Sequence, residues 1–381
     1  MKFINEIGMD DLIRRVRPRE EDHRGFFFRD ITAIIHSYPF RRLKHKTQVF
    51  FAPRNDHICT RIEHVLHVAT ISATICKALD LDIDLAWAIS LGHDFGHTPF
   101  GHVGEKILST LLADEGGFNH EIYSLYVVDR LIEYGRGLNL TYAVRDGIVH
   151  HCGEAFERVI TPTFEIRDLA AEEDVANPPC TWEAVVMRMS DKVAYLGRDL
   201  EDAISLRLLQ PEEIPNEVRD TLGDSNSAII DTLVHDIVNH ANETGRVGFS
   251  DDVYHASIAL KRFNYSRIYE NPRLSVYHDY FERILGTLFE YLSDLLRRHA
   301  FEAGRYRNEG NALASRFGDY VSKMAPYYTE IGEREPRIVA DYIAGMTDDF
   351  AIDSIQEIMV PRKFETAFEE YIHESDPTAA G

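Results

Sequence analysis

The chain has 381 residues, 44% of them apolar and 27% charged, a composition typical of one large globular domain or two to three smaller ones. Its formal charge of −22 repels polyanions, which argues against nucleic acid as the main partner. No apolar run reaches the length of a membrane span, and the N-terminus lacks the pattern of a secretory signal. The cysteines form no C-x-x-C pair, which argues against a disulfide framework or a zinc ribbon. We therefore expect a cytoplasmic protein without membrane contacts.

Helical periodicity dominates the chain, and the alternation typical of strands is scarce. In chain order, the predicted helices span residues 60–79, 83–95, 105–113, 119–134, 141–151, 182–207, 225–241, 251–267, 272–298, 310–325 and 336–345. Breaks rich in Pro and Gly separate many of them, and residues 152–181 are predicted to form a longer, partly extended insertion. The predicted fold class is mainly α.

The stretch LGHDFGHTPFGH (91–102) is dense in groups that bind metal ions or carry protons. Gly96 and Pro99 are expected to end the preceding helix within about one turn of Asp94, so His93 and Asp94 lie near a helix C-terminus. An imidazole beside a carboxylate suits a transition-metal ion. Taken alone, however, a purely structural role is the favoured interpretation of this pair.

The helix predicted upstream of this stretch places a cation beside a potential metal ligand. Arg61 and His64 are separated by three positions and share a helix face. That arrangement suits a phosphate group next to a metal ion. The basic clusters at 14–19 and 41–46 are further candidates for anion binding, with solvated surface as the alternative.

A long predicted helix further along carries polar groups in an otherwise apolar stretch. Asp191, Tyr195 and Asp199 recur at every fourth position and form one stripe along about two turns. Lys192 flanks this stripe. Its burial is costly unless the stripe faces a ligand or a salt-bridge partner, and Arg198 is an available partner.

Other histidines are candidates for proton transfer. Asn119 is the predicted N-cap of a helix, so His120 lies in the first turn, where the positive helix end favours a neutral imidazole. His150 and His151 end another predicted helix and are interpreted as structural or peripheral.

Three segments thus supply two imidazoles and two carboxylates as candidate metal ligands: His64, His93, Asp94 and Asp191. Such a set suits Mn, Mg, Fe, Co or Ni better than structural zinc. The histidines left for proton transfer are His97, His102 and His120. A metal ion with nearby proton donors and an Arg/Lys pair points to hydrolysis of a phosphate ester or anhydride.

The spacing of these ligands resembles that of the HD-domain superfamily of metal-dependent phosphohydrolases. The resemblance continues in blocks that follow the order found in deoxynucleoside triphosphate triphosphohydrolases, the dGTPase-like proteins. The blocks are FRRLKHKTQVF (40–50), RIEHVLHVA (61–69), HDFGHTPFGHVGE (93–105), GFNHEIYSL (117–125), GLNLT (137–141), DKVAYLGRDLEDA (191–203) and DYIAGMTDDFAI (341–352). A single block is weak, whereas the ordered set is highly specific.

The resemblance implies an HD-domain helical fold with a C-terminal helical extension. Residues 1–225 would form the phosphohydrolase core with its N-terminal segment, and 226–381 a helical region packed on that core, the alternative being one unit. One divalent metal ion per site is implied, Mn or Mg first, with Fe, Co, Ni or Zn as alternatives. Its ligands would be His64, His93, Asp94 and Asp191.

Roles in substrate binding follow from the same resemblance. Arg61 and Lys192 would grip phosphate oxygens. Gln48 and Asp199 would hydrogen-bond the 3′-hydroxyl of a deoxyribose, and Tyr195 would pack where a 2′-hydroxyl would fall. The residues that match the catalytic neighbourhood of the family are His97, His102, Glu105 and His120. Either His102 or His120 would protonate the leaving group.

Members of this family hydrolyse a dNTP to a deoxynucleoside and intact triphosphate, by attack at the α-phosphorus. They are often homo-oligomers, hexamers or tetramers, with dNTP effectors at subunit contacts, and the resemblance implies the same partners here. Tyr123 departs from the pattern, because bacterial members usually carry Gln or Glu at this position.

Two other interpretations are compatible with the sequence. The first is another HD phosphohydrolase, either a 5′-deoxynucleotidase or a cyclic-dinucleotide phosphodiesterase. The second is a nucleotide-sensing or single-strand-binding protein in which the HD site is secondary. The acidic net charge speaks against dominant binding of nucleic acid.

Overall fold

The computed structural model describes residues 3–20, 22–51, 57–152, 156–172 and 175–360. Within them seventeen α-helices account for most of the structure, which confirms the mainly α prediction. The first nine are α1 (Met9–Leu12), α2 (Phe26–His36), α3 (Tyr38–Arg42), α4 (Arg61–Ala78), α5 (Ile83–Gly92), α6 (Gly101–Leu111), α7 (His120–Tyr126), α8 (Tyr142–Val149) and α9 (Trp182–Ser205). The others are α10 (Asn216–Leu222), α11 (Asn226–Thr244), α12 (Asp251–Asn264), α13 (Pro272–His299), α14 (Ala303–Tyr306), α15 (Ala312–Ile331), α16 (Glu335–Ala344) and α17 (Asp348–Met359).

Helix α5 is the centre of the N-terminal half because its sequence is apolar on every side. The side chain of Asp82 caps the helix by accepting from the Leu85 amide, and residues 88–92 are all buried. A helix that is hydrophobic all round must be covered on all sides. Helices α2, α4, α8 and α9 pack around it, and α4 also packs against α9. This arrangement brings the C-terminal end of α5 between the helices that carry the predicted ligands.

The later helices pack on this core and on one another. Helix α11 contacts α9, and α13 contacts α6, α16 and α17. A short antiparallel pair joins β1 (Val159–Ile160) to β2 (Val247–Gly248), so the predicted insertion is extended in part and tied to the C-terminal half. The division at residue 225 stays a prediction. Among the described helices, none combines the length and apolarity that spanning a bilayer requires.

The predicted helix bounds differ from the observed ones where packing overrides local sequence signals. The helix predicted to end at residue 325 continues through Pro326 to Ile331, although proline removes a backbone hydrogen bond. Tyr328, beyond the proline, is buried and its hydroxyl donates to Asp341 at 2.9 Å, which holds the last turns in place. Helices α2 and α17 were not predicted, and the helix predicted at 119–134 ends in a π-helical turn at Val127–Leu131.

Candidate active site

The turn that carries His93 and Asp94 follows α5 directly. Helix α5 ends at Gly92, and the 3₁₀ turn His93–Gly96 comes next, as the positions of glycine and proline predicted. At Gly96 a β-carbon would lie 2.1 Å from the carbonyl oxygen of His120, so only glycine permits α7 to approach this closely. The turn therefore sets His93, Asp94 and the start of α7 side by side.

The four predicted metal ligands converge from α4, this turn and α9. His64 Nε2 lies 2.9 Å from Asp191 Oδ1 and 3.8 Å from Asp94 Oδ2. His93 Nε2 lies 3.4 Å from Asp94 Oδ1 and 3.9 Å from Asp191 Oδ1. All four side chains are buried. Residues from three distant parts of the sequence thus form one compact cluster.

The donor atoms of this cluster fit a divalent cation. His93 Nδ1 donates to the Ser90 carbonyl at 2.7 Å, which leaves Nε2 as the nitrogen with a free lone pair. This Nε2 is buried and has no hydrogen-bond partner among the described residues. Burial lowers the pKa of His93, although Asp94 opposes the shift, and a neutral imidazole is the form that binds metal.

Beside the cluster, three histidines pack together, and one carboxylate hydrogen-bonds two of them. The rings of His97 and His120 stack with centroids 4.0 Å apart, and His102 packs edge-on against His97 at 5.1 Å. Glu105 Oε1 lies 2.9 Å from His120 Nδ1, and Glu105 Oε2 lies 3.3 Å from His102 Nδ1. The four residues predicted as catalytic therefore form one group, and Glu105 can orient both His102 and His120.

The prediction that His120 is neutral is wrong. Burial lowers the pKa of His120, but the nearby carboxylates outweigh burial and raise it to about 9. Glu121 Oε2 lies 3.1 Å from Nδ1, and Glu105 bonds the same nitrogen from α6. The sequence indicated the positive end of α7, whereas Glu105 reaches His120 only through the fold.

A cavity of about 520 Å³ opens beside the cluster, and its lining includes Asp191 from the cluster and His102 from the histidine group. Four residues predicted to bind substrate line this cavity: Gln48, Lys192, Tyr195 and Asp199. Lining residues that the sequence analysis did not single out include Phe156, Lys261, Tyr265, Tyr269 and Phe281. Phe156 lies just before β1, and the other four come from α12, the turn that follows it and α13, where nothing in the periodicity distinguishes a cavity wall from an ordinary core face.

Both cations predicted to grip phosphate contact carboxylates. Arg61 Nη1 donates to Asp94 Oδ2 at 2.8 Å, while its Nε and Nη2 are buried with no hydrogen-bond partner in the described part of the chain. Lys192 Nζ donates to Glu157, a residue that the sequence analysis did not single out. The pKa of Lys192 is lowered by burial, against the opposing effect of Glu157.

Positive charge at the cavity comes from helices rather than from the predicted basic clusters. Of the described residues, none within 14–19 or 41–46 lines the cavity. The ammonium groups of Lys192 and Lys261 lie 5.4 and 5.2 Å from the centroid of the Phe156 ring. These cation–π contacts hold two lysines over one aromatic side chain. The cavity therefore presents two lysines together with the carboxyl groups of Asp191 and Asp199.

His151 packs beside the metal-ligand cluster and is not peripheral, whereas its interpretation as structural stays a prediction. Its ring centroid lies 4.9 Å from that of His93 and 5.4 Å from that of His120. Its Nδ1 donates to the Ile148 carbonyl at 2.7 Å, and burial lowers its pKa to about 3. The end of α8 in the sequence gave no sign of this, because the contact depends on how α8 packs against α5.

Tyr123, the departure from the family pattern, is not among the residues that line the cavity. Its hydroxyl donates to Asp341 Oδ1 at 3.0 Å. Tyr328 donates to Asp341 Oδ2 at 2.9 Å, so two phenols converge on one buried carboxyl. Burial raises the pKa of Asp341 to about 7, although these hydrogen bonds oppose the shift. Tyr123 therefore joins α7 to α16 rather than taking part in a proton relay.

Replacing Asp341 with asparagine is expected to stabilise the fold above neutral pH. The pKa of about 7 lies above the usual value, so the protonated carboxyl is favoured by folding and its contribution is lost as pH rises through about 7. We expect Asp341→Asn to raise the free energy of unfolding at pH 8 by about 2–4 kcal/mol and to flatten its pH dependence between 5 and 8. Urea unfolding across this range measures both, with the exposed Asp349→Asn as control. A parallel pH profile in parent and variant would contradict this assignment.

The fold is that of an HD-domain phosphohydrolase. The HD domain family matches residues 61–196, which include the four predicted ligands, and the phosphohydrolase-associated domain matches residues 247–357. HD domains bind divalent metal ions, and the cluster described above is suited to hold one. The protein is accordingly a hydrolase.

Comparison with curated relatives places the chain more narrowly. It is 39% identical to a deoxyguanosinetriphosphate triphosphohydrolase-like protein of Caldanaerobacter subterraneus, over 91% of this chain and 89% of the relative. Identity to proteins of the same description is 36% in Clostridium tetani, over 92% and 90%, and 33% in Geobacter sulfurreducens, over 91% and 92%. The chain belongs to the deoxyguanosinetriphosphate triphosphohydrolase-like family.

Proposed function

We propose that the protein hydrolyses a dNTP to a deoxynucleoside and inorganic triphosphate, by attack of water at the α-phosphorus. The observation that carries this proposal is the cavity, because one space is lined by a candidate metal ligand, two lysines and three groups suited to a sugar. Asp191 and Lys192 lie at its inner wall with Tyr195 and Asp199 along the same helix. The names of the relatives support a nucleoside triphosphate as substrate.

In this proposal each group acts according to its position. His64, His93, Asp94 and Asp191 hold one divalent ion, Mn or Mg, which when bound supplies Lewis-acid polarisation of a phosphate oxygen. Arg61 offers its two unpaired donors, and Lys192 its ammonium, to the negative charge that develops during attack. Gln48 and Asp199 hydrogen-bond the 3′-hydroxyl, and Tyr195 leaves no room for a 2′-hydroxyl.

The leaving 5′-oxygen needs a proton, since an alkoxide is a poor leaving group. We assign the donor to His120 rather than His102. Two carboxylates contact Nδ1 of His120 and stabilise its protonated form, and its side chain is 8% exposed. The side chain of His102 is 71% exposed and lies at the cavity surface.

Product analysis tests the proposal. Incubating the full chain with each dNTP, singly and as a mixture of four, with Mn²⁺ or Mg²⁺, is expected to release equal amounts of deoxynucleoside and triphosphate. Activity confined to the mixture would indicate a dNTP effector, which together with a homo-oligomeric state belongs to the same proposal. Orthophosphate from a dNMP, or cleavage of a cyclic dinucleotide with no release of triphosphate, would contradict it.

A further inference from the structure

The turn between α16 and α17, residues 344–348, lies against the segment that leads to Gln48. Arg42 Nη1 donates to the carbonyl of Gly345 at 2.8 Å, and Lys46 Nζ donates to that of Ala344 at 2.9 Å. We call residues 344–348 the brace. It belongs to the late motif DYIAGMTDDFAI (341–352), none of whose residues lies in the metal cluster or lines the cavity.

At the end of the brace, one carboxylate joins two segments of the cavity wall. Asp348 is 3% exposed, and its Oδ2 accepts from the Thr47 amide at 3.1 Å and from the Thr47 hydroxyl. Its Oδ1 accepts from the Phe100 amide at 3.0 Å. Both carboxylate oxygens are thus occupied by groups that lie 248 or more positions earlier in the chain.

Both segments carry side chains that line the cavity. Thr47 directly precedes Gln48, and Phe100 lies two positions before His102. Phe100 has φ +65°, a left-handed conformation that is unfavourable for a phenylalanine and persists only where surrounding contacts hold it. The next residue, Gly101, also has a positive φ and approaches the Gln48 carbonyl, so the two segments are packed directly together.

We propose that Asp348 is a positioning residue, which fixes Gln48 and the start of α6 relative to one another across the cavity. It touches neither the metal cluster nor the cavity, and it acts through the Thr47 and Phe100 backbones. Without it, the strained turn at Phe100 relaxes and Gln48 loses its fixed distance to the opposite wall. The kinetic part of this inference rests on the proposed function, whereas the structural part does not.

The test compares Asp348→Asn with Asp349→Asn in the full chain. Asparagine keeps one acceptor oxygen and presents an amide donor in place of the other, so at least one link is lost. The neighbouring Asp349 is exposed, and its substitution removes the same charge. With a dNTP as substrate, Asp348→Asn is expected to raise KM about tenfold and to change kcat less than about threefold, while Asp349→Asn leaves both unchanged.

Hydrogen exchange gives a readout that needs no substrate. In Asp348→Asn, peptides covering 47–51 and 98–103 are expected to exchange faster, while a peptide covering 61–69 is unchanged. Thr47→Val removes only the hydroxyl link and is expected to increase exchange in the same peptides by a smaller factor. It replaces Asp348→Asn in this test if that variant does not fold.

The outcomes separate the two claims. Unchanged exchange in both segments overturns the role of the brace, whatever the enzyme hydrolyses. A fall in kcat with KM unchanged also overturns it, because that result reports a smaller folded fraction rather than a displaced substrate contact. Faster exchange in the variant, combined with a parent protein that releases no triphosphate from any dNTP, overturns the proposed function and leaves the brace intact.

Discussion

The Asp94→Asn variant is expected to lose dNTP hydrolysis by about a thousandfold or more and to retain much less bound metal than the parent protein. The carboxylate of Asp94 has three neighbours within 3.5 Å, besides His64 at 3.8 Å. Its oxygens lie 2.8 Å from Arg61 Nη1, 3.4 Å from His93 Nε2 and 3.1 Å from His97 Nε2. An amide in this place weakens metal binding and releases the arginine from its position.

Metal analysis and steady-state hydrolysis on the same preparations check this result. Asp231→Asn is the matched control, because this side chain is 73% exposed and lies outside the cavity. Chelation of the parent protein is expected to abolish activity, and added Mn²⁺ or Mg²⁺ to restore it, whereas the same additions leave Asp94→Asn inactive. An Asp94→Asn protein with full metal content and full turnover would show that Asp94 is not a ligand.

Loss of fold is the competing explanation, and a second variant addresses it. Asp94→Asn leaves Arg61 charged and without its partner. Removing one partner of a buried ion pair lowers the free energy of unfolding by about 3–5 kcal/mol. Asp191→Asn removes a predicted ligand that has no contact with Arg61 among the ion pairs described. The metal-site interpretation predicts similar losses of activity for both variants despite different losses of stability.

The sequence could predict those parts of the site that depend on residues close together in the chain. The end of α5 was predicted from Gly96 and Pro99, and the stripe of Asp191 and Asp199 follows from helical spacing alone. Each of these signals lies within about two turns of one helix. Their convergence on one metal cluster was inferred from chemistry and from resemblance, and the structure brings the side chains within contact distance.

The rest depends on contacts between distant segments. Glu157 reaches Lys192 from an extended segment, and His151 reaches His93 from the end of α8. Neither residue lies in a periodic pattern that would mark it. A charged side chain in a loop, such as Glu157, is usually solvated. The raised pKa of His120 has this origin only in part: Glu121, the larger influence, is its neighbour in the sequence, whereas Glu105 belongs to another helix. Fold prediction failed in a similar way at Pro326, where a local breaking signal was overridden by the packing of Tyr328.

The second large effect is expected for His120→Gln. As the proposed proton donor, His120 contributes about a hundredfold to ten-thousandfold to kcat, so the variant should lose turnover by this factor with little change in KM. His102→Gln is the matched control, since its ring contacts the same Glu105 from the exposed side and should cost less than about tenfold. Both variants are measured with the preferred dNTP at saturating metal.

A substrate with a better leaving group separates proton donation from other roles. A phosphodiester that releases p-nitrophenolate needs no protonation of the departing oxygen, so His120→Gln should hydrolyse it nearly as fast as the parent. Equal losses on both substrates would instead assign His120 to the architecture of the site. That outcome would be consistent with its stacking on His97 at 4.0 Å, which itself lies 3.1 Å from Asp94. The ratio of the two losses therefore distinguishes a proton donor from a support for the metal cluster.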